Sequence, residues 1–238
     1  MFISNGKKCV IIGDRSMEIM EAYQRVGKLS SLYDGMMTNT GLLGKLAIRY
    51  FWQLSDEKYL EFINQAFAGI PKDFDGSLLE VPIGTGVLSL PVYKNLQAAE
   101  IIGVDYAQSM LNAARANAQK LNLSKIKLIQ GDVGNLPFES EIFDIVLSID
   151  GFHVFPNKSA AYNETYRVLK NGGTFCGCMY IKDQNRRTDF FVKNFCERFG
   201  YFTSPYETLE SLNERLNGMY SQVEITHVES FAGFVCRK

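Results

Sequence analysis

The sequence predicts an α/β protein: a mostly parallel sheet covered by helices on both faces and preceded by a helical segment. Three observations carry this expectation. From residue 76 onward, short runs rich in Ile, Val, Leu and Phe alternate with helix-length amphipathic stretches, the pattern of parallel strands joined by crossover helices. Before residue 76 the apolar residues recur at helical spacing instead. At the end of the chain two strand-like runs are separated only by Ser230. With no room for a crossover helix, those two must pair antiparallel.

Length and composition agree with one large domain carrying an appended piece: 238 residues, 46% apolar, 21% charged and 13% aromatic. This is the balance of a globular chain with a sizeable core. In the first segment, Met17, Met20, Tyr23, Val26, Leu29 and Leu32 mark a helix over Met17 to Leu32, and Leu42 to Phe51 and Tyr59 to Ala68 repeat the theme. The expected strands are Ser77–Val81, Glu100–Val104, Ile126–Gln130, Phe143–Ser148 and Gly173–Tyr180, each bounded by Gly, Asn, Asp or Pro. Helices are expected from Leu88 to Leu96, over the Ala-rich stretch Ala107 to Leu121, and from Ser159 to Leu169. A helical stretch around Tyr206–Leu216 precedes the final strands Val223–Glu229 and Phe231–Arg237.

Charge and cysteine usage narrow the function classes. Twenty-five Lys and Arg oppose 26 Asp and Glu, a net charge of −1, so no overall field gathers nucleic acid or anionic lipid. Lys7–Lys8 and Arg186–Arg187 are the densest basic spots and read as solvated charges. The apolar stretch Cys9-Val10-Ile11-Ile12 is far too short for a signal peptide or for a span of roughly 20 residues. A cytoplasmic chain with no membrane span is expected. Five scattered cysteines, Cys9, Cys176, Cys178, Cys196 and Cys236, lack the spacing of a disulfide framework or metal site, so no metal is expected. Cys176 and Cys178 alternate along a strand and are expected to face one way as small buried groups.

The chemistry gathers at the carboxyl ends of the first three strands, where open parallel sheets bind ligands. The first strand ends Leu78-Leu79-Glu80-Val81 and runs into Pro82-Ile83-Gly84-Thr85-Gly86 before a helix. Glycines there let backbone approach a ligand without a Cβ clash. The second strand ends at Asp105, nineteen residues after Gly86, where an acid accepts from two vicinal ribose hydroxyls. Asp105 is equally placed to cap the Ala107 helix, and the two roles are compatible. The third strand ends Gln130-Gly131-Asp132-Val133, a second acid suited to an exocyclic amine such as that of adenine.

These blocks, with Gly103-Val104-Asp105-Tyr106-Ala107-Gln108-Ser109-Met110-Leu111, Asn135-Leu136-Pro137-Phe138, Phe143-Asp144-Ile145-Val146-Leu147-Ser148 and Tyr166-Arg167-Val168-Leu169-Lys170-Asn171-Gly172-Gly173-Thr174-Phe175, resemble the class I S-adenosylmethionine-dependent methyltransferases. The resemblance runs over about a hundred residues in the family's order. It implies a Rossmann-like three-layer sandwich whose seven-stranded sheet has its last strand inserted antiparallel. By the resemblance, Glu80, Gly84, Thr85 and Gly86 border the methionine part of S-adenosylmethionine and Asp105 the ribose. Tyr106 and Met110 line the adenine face, Asp132 and Val133 meet the adenine amine and ring edge, and Ser148 is a further cofactor-binding residue. Pro82 departs from the pattern by standing where the family's first loop glycine usually lies, which puts the loop's backbone course there in doubt.

The implied reaction is in-line methyl transfer to a small, partly apolar or aromatic acceptor, in which alignment and exclusion of water do most of the work. The domain division expected is a helical lid over residues 1–75 and a core over 76–238 with a helical insertion at about 183–218. Leu32-Tyr33-Asp34-Gly35-Met36-Met37 resembles a Tyr-Asp segment of quinone-biosynthesis methyltransferases, so Tyr33 is a candidate to lie across the sulfonium. His153, in Asp150-Gly151-Phe152-His153-Val154-Phe155-Pro156, is a candidate base, with a backbone-bonded structural histidine as its other reading. The segment Tyr180–Phe191, followed by Phe195, Phe199, Tyr201, Phe202 and Tyr206, mixes polar and aromatic residues as an acceptor pocket does, although most of these aromatics read as helix core. Two rival readings stand beside this one: a catalytically silent S-adenosylmethionine-binding module, and an NAD-dependent oxidoreductase. The second lacks the third glycine of the dinucleotide fingerprint, since Ser89 stands three residues after Gly86.

Overall fold

A computed structural model describes residue 38 and residues 42–238. The expected helix Met17 to Leu32, the Lys7–Lys8 pair and Cys9 lie outside the described residues. Seven strands run through the chain: β1 (Ser77–Glu80), β2 (Glu100–Asp105), β3 (Lys127–Gln130), β4 (Phe143–Ile149), β5 (Leu169–Tyr180), β6 (Gln222–Val228) and β7 (Phe231–Arg237). They form one sheet in the order β3-β2-β1-β4-β5-β7-β6. The pairs β1–β2, β2–β3, β1–β4 and β4–β5 are parallel, and β7 lies antiparallel between β5 and β6. The reversed strand near the C-terminus is where the Ser230 break requires it.

The order reverses between β1 and β4, because the chain winds outward from β1 through β2 to β3 and then returns to β1's other edge with β4. The crevice at that switch point, outside the carboxyl ends of the strands, is where such a sheet leaves room for a ligand.

Two cores flank the sheet because successive residues on a strand point to opposite faces. Leu78, Ile145, Leu147, Cys176, Cys178 and Tyr180 enter one core, while Leu79, Val146, Phe175 and Phe234 enter the other. Cys176 and Cys178 do face the same way, both fully buried. The first core is covered by α1 (Leu42–Ala47) with its continuing π-helical turn Ile48–Trp52, α2 (Asp56–Ala66), α3 (Leu90–Tyr93) and α4 (Gln108–Lys120). The second lies beneath α5 (Lys158–Val168) and α7 (Leu209–Met219). Helix α6 (Arg186–Phe191), with a π-helical turn Val192–Cys196, and α7 occupy the stretch between β5 and β6.

The described part of the N-terminal segment is built into this sandwich. Phe62 and Ala66 of α2 are buried with Ile48 and Leu54 against Phe231 and Tyr180. Gln65 donates to the Phe231 carbonyl at 3.1 Å and accepts from the Thr226 hydroxyl at 3.2 Å, which ties α2 to the β6–β7 hairpin. Helix α2 begins at Ser55, whose side chain accepts from the Lys58 N–H at 3.3 Å, with Asp56 and Glu57 in the first turn favoured by the helix dipole.

Two boundaries and one helix face differ most from expectation. The helix expected from Leu88 to Leu96 is only the single turn α3, begun at Leu90 with Pro91 in its first turn and without a side-chain cap from Ser89. Strand β5 begins at Leu169 rather than Gly173, because Leu169 pairs with Phe143 before the register shifts to Thr174 opposite Ile145. On α6 the inward stripe is Thr188, Val192 and Cys196, four residues apart. Phe190, Phe195 and Phe199 are thereby turned to solvent at 71%, 55% and 51% exposure. The expectation that these rings belong to the helix core fails at those positions, and Arg186–Arg187 has exposed aromatic neighbours.

Phe175 stands at the centre of the second core, fully buried against Phe234 at 4.8 Å and Tyr220 at 5.6 Å between ring centroids. Phe175→Ala should lower unfolding free energy by about 3–5 kcal/mol. Phe190→Ala, at an exposed position, should change it by less than about 0.5 kcal/mol. Urea titration of both variants checks the contrast.

Candidate functional site

The site grows from the loop between β1 and α3. Its course is set by main-chain bonds to both neighbouring strands: Val81 N–H donates to the Leu147 carbonyl and Ile83 N–H to the Val104 carbonyl, each at 2.9 Å. Pro82 falls between these two donors, so its missing N–H removes neither tether. Beyond it, Gly84 and Gly86 adopt φ of +56° and +67°, backbone conformations that side-chain-bearing residues avoid. A Cβ on Gly84 would meet nothing within 4 Å, whereas one on Gly86 would press to 2.7 Å from Leu90.

Asp105 closes β2 and braces this loop. One carboxylate oxygen accepts from Gly84 N–H at 2.9 Å and the other from Ala107 N–H at 2.8 Å. The second bond starts α4, which lacks any side-chain cap from Ala107 itself, so the capping reading of Asp105 holds alongside its place at the site. Burial pushes the Asp105 carboxyl up to about 6, against the lowering pull of the Ala107, Gly84 and Tyr106 N–H groups.

Glu80, two per cent exposed at the end of β1, accepts from the Tyr93 hydroxyl at 2.8 Å. Burial pushes it up to about 8, with Asp105 adding to the rise and the Ser89 and Tyr93 hydroxyls opposing it. The buried Ser89 hydroxyl makes no hydrogen bond of normal geometry among the described residues, although it stands near enough to favour the ionised form of Glu80. Asp150 follows β4 with a φ of +51° and an N–H bonded to the Cys178 carbonyl at 2.9 Å. The residue is half-buried, yet its carboxyl is surrounded by protein, and this burial pushes it up to about 7 against the influence of the Cys178 thiol. Burial likewise raises the Cys178 thiol well above its ordinary value.

Glu80, Asp105 and Asp150 converge on one cleft of about 510 Å³, counted to its open mouth, whose wall also includes the Gly84–Gly86 loop, Met110 and Ile149. Among the described residues no Lys, Arg or His lines it. Three poorly solvated carboxyls facing a space without a counter-charge form a site for a cationic ligand and a poor one for phosphate.

Glu80, Gly84, Thr85, Gly86, Asp105 and Met110 all line this cleft, as the sequence places them. Tyr106, Asp132, Val133 and Ser148 do not. Tyr106 follows Asp105 with its side chain 49% exposed. Asp132 is exposed and accepts from Gly134 N–H at 2.8 Å, while Val133 is buried in the second core. The β3 end is nevertheless joined to the site, since Gly131 N–H donates to the Asp105 carbonyl at 3.0 Å. Ser148 is fully buried with its hydroxyl unpartnered among the described residues. Tyr33 lies outside the described residues.

His153 lies away from the cleft wall. Its Nδ1 accepts from the Tyr180 N–H at 3.2 Å, Phe202 stacks on it at 4.0 Å, and it is three per cent exposed. Burial and the nearby Lys158 charge push it down to about 3. It is a neutral, backbone-bonded imidazole, the structural reading of this residue. Asp150 and Tyr93 are the site residues sequence reasoning passed over. The rule that found Glu80, Asp105 and Asp132, an acid at a strand's carboxyl end, applies equally to Asp150 after β4.

A seven-stranded sheet with this order, a glycine loop after β1 and acids at successive strand ends define a Rossmann-like methyltransferase fold. Comparison with known proteins agrees. Residues 78–173 match the family described as a methyltransferase domain. The demethylmenaquinone methyltransferase of Oceanobacillus iheyensis is 34% identical over 96 residues, 40% of each chain. The phosphatidylethanolamine N-methyltransferase of Cereibacter sphaeroides is 37% identical over 99 residues, 41% of this chain and 47% of that one. The chain thus spans less than half the length of these curated relatives. A crystal structure from Thermotoga maritima, a S-adenosylmethionine-dependent methyltransferase described as a possible histamine N-methyltransferase, superposes with a TM-score of 0.67 over 92% of this chain and 99% of that one, at 17% identity. Over residues 78–173 this chain is thus similar to methyltransferase domains, and its sheet has the fold of a S-adenosylmethionine-dependent methyltransferase.

The raised Glu80 carboxyl makes stability pH-dependent. Protonated in the fold up to about pH 8 but only to about 4.5 when unfolded, it binds more protons in the native state. Its contribution is full below the unfolded value and is lost as pH rises toward the folded one. Asp105 and Asp150 act in the same direction. Unfolding free energy should therefore fall between about pH 5 and pH 8, and Glu80→Gln should flatten that slope. Denaturant titrations across this range give the answer; an unchanged slope in Glu80→Gln would remove Glu80 as its source.

Proposed function

We propose that this protein transfers the methyl group of S-adenosylmethionine to a small, partly apolar or aromatic acceptor by in-line displacement. The observation that carries the reading is the set of three raised carboxyls on a cleft wall to which the described residues contribute no cation. S-adenosylmethionine is a cationic ligand, with a sulfonium and an ammonium, and it has no phosphate. A pyrophosphate-bearing dinucleotide would meet Glu80 and Asp105 unfavourably at the same place.

The chain's own residues have separable tasks. Gly84 and Gly86 keep the loop free of side chains so that backbone borders the ligand. Asp105 is the candidate for the ribose hydroxyls, already held by Gly84 and Ala107 and therefore oriented before any ligand arrives. Glu80, positioned by Tyr93, is the candidate for the methionine end. Tyr106, Asp132 and Val133 stay assigned to the adenine side, next to the β2 and β3 ends, and Ser148, in β4, stays among the cofactor-binding candidates. When bound there, S-adenosylmethionine supplies an electrophilic methyl on a good leaving group, so the protein needs no nucleophile of its own. Where the acceptor must lose a proton, Asp150 is the cleft carboxyl whose value, about 7, suits a base at neutral pH.

The acceptor reading rests on the aromatic cluster at the same edge of the sheet. Trp52, Tyr180, Phe202 and Phe231 pack with centroid separations of 5.2–6.5 Å, and the Tyr180 hydroxyl donates to Asp189 at 2.6 Å. An apolar wall with a few fixed polar groups suits a small aromatic molecule, and the quinone named for the Oceanobacillus iheyensis relative is of that kind.

Calorimetric titration of the protein with S-adenosylmethionine, S-adenosylhomocysteine and NAD tests the proposal. Both adenosyl ligands should bind and NAD should not, and Asp105→Ala should weaken binding at least tenfold. Because Glu80 and Asp150 ionise as pH rises from 6 to 8, the preference for the sulfonium over the uncharged homocysteine thioether should grow across that range. With an acceptor in hand, Asp150→Asn should remove the acid limb of the rate profile near pH 7. Folded protein that binds neither adenosyl ligand would sink the assignment, and ligand binding without product from any quinone or phenol acceptor would leave the silent binding module.

A further inference from the structure

Helix α6 and its π-helical turn present a solvent face of unusual composition. With Thr188, Val192 and Cys196 turned inward, the exposed positions from 186 to 199 are four cations, three phenylalanines and Asn194. The cations are Arg186, Arg187, Lys193 and Arg198. The two acids of the segment are withdrawn from that face. Asp189 accepts from the Tyr180 hydroxyl at 2.6 Å and the Asp183 N–H at 3.1 Å, and Glu197 accepts from the Ser204 hydroxyl at 2.9 Å. A chain with net charge −1 therefore carries a local patch of four positive charges, none paired with an acid among the described residues.

The aromatic residues of the patch form a continuous ladder. Tyr50 meets Phe51 at 5.1 Å, Phe51 stacks on Phe191 at 4.0 Å, and Phe191, Phe195 and Phe199 follow at 5.7 and 5.0 Å. Arg187 lies over the Tyr50 ring at 5.3 Å. Tyr50 and Leu46 extend the exposed apolar surface onto α1 at 61% and 56% exposure.

We propose that this face docks on an anionic lipid surface, with Phe190, Phe195 and Phe199 entering the headgroup boundary and the four cations meeting lipid phosphates. Large apolar side chains flanked by Lys and Arg on one helical face are the chemistry that lies in a membrane interface, where buried apolar area and attraction to anionic headgroups add. No described helix is long and apolar enough to cross a bilayer, so the contact is peripheral. The same segment follows β5 and packs through Phe191 against Trp52 at 5.6 Å. Docking by α6 thus sets the aromatic edge of the protein beside the bilayer. The inference does not require methyl transfer.

The test is co-sedimentation of the full chain with phosphatidylcholine vesicles, with and without phosphatidylglycerol, at low and high salt. Binding should require phosphatidylglycerol and weaken with salt. Lys193→Glu and Arg198→Glu should each lower partitioning at least about fivefold, and Phe195→Ser combined with Phe199→Ser should lower it further. Both sets are surface changes, and S-adenosylhomocysteine affinity and thermal unfolding report whether each variant stays folded. Absence of binding to phosphatidylglycerol vesicles at low salt overturns the proposal, as does binding indifferent to both sets of variants. Light scattering without lipid and a gel shift with single-stranded RNA accompany it. A dimer dispersed by the Phe195→Ser/Phe199→Ser variant would assign the face to a second copy, and RNA binding in place of vesicle binding would assign it to nucleic acid; either result overturns the lipid assignment.

Discussion

The carboxylate of Asp105 is the joint on which the site depends. By accepting from Gly84 on one side and Ala107 on the other, it fixes the glycine loop against the end of β2 and starts α4 with the same group. Neither bond is available from the loop or helix alone, since Gly84 has no side chain and Ala107 cannot cap. The cost is a desolvated acid, pushed up to about 6. That cost is tolerable because two backbone donors stand where water would have been.

Around that joint the fold assembles carboxyls without neutralising them. Glu80, Asp105 and Asp150 come from the ends of β1, β2 and β4, strands that are adjacent in the sheet though separated in the chain. Each is buried by its own surroundings, and each is raised by that burial more than by its neighbours. Strain of this kind is out of place in a purely structural edge, where a lysine or arginine would relieve it. At a ligand cleft it stores affinity for a cation. The same argument separates His153, whose single polar contact is to backbone and whose environment keeps it neutral, from the groups that face the ligand.

At the carboxyl end of β5, beside the carboxyls, the structure is aromatic. Trp52 from the N-terminal segment, Tyr180 from β5 and Phe202 from the insertion meet there, so three stretches distant in sequence contribute one wall. Beyond that wall the aromatic residues continue outward along α6 to solvent, accompanied by cations and without free acids. The protein therefore grades from an acid-lined cleft, through an aromatic interior, to a cationic aromatic surface.

Much of this was legible in the residues themselves. Apolar runs bounded by Gly, Asn, Asp and Pro marked all seven strands within a few residues, because strand burial on both faces leaves a compositional trace that local sequence carries. The Ser230 break dictated the antiparallel hairpin, and the glycine loop with Glu80 and Asp105 marked the site, since conformational freedom and charge are properties of single residues. Other features were decided only in three dimensions. Which face of α6 is buried depends on a π-helical turn that shifts the helical register, so Phe190, Phe195 and Phe199 turn outward where an even helical count would bury some of them. That Asp150 joins the cleft while Asp132 stands in solvent depends on strand order, which places β4 beside β1 and β3 two strands away. Burial and adjacency are collective properties of packing, and no window of sequence contains them.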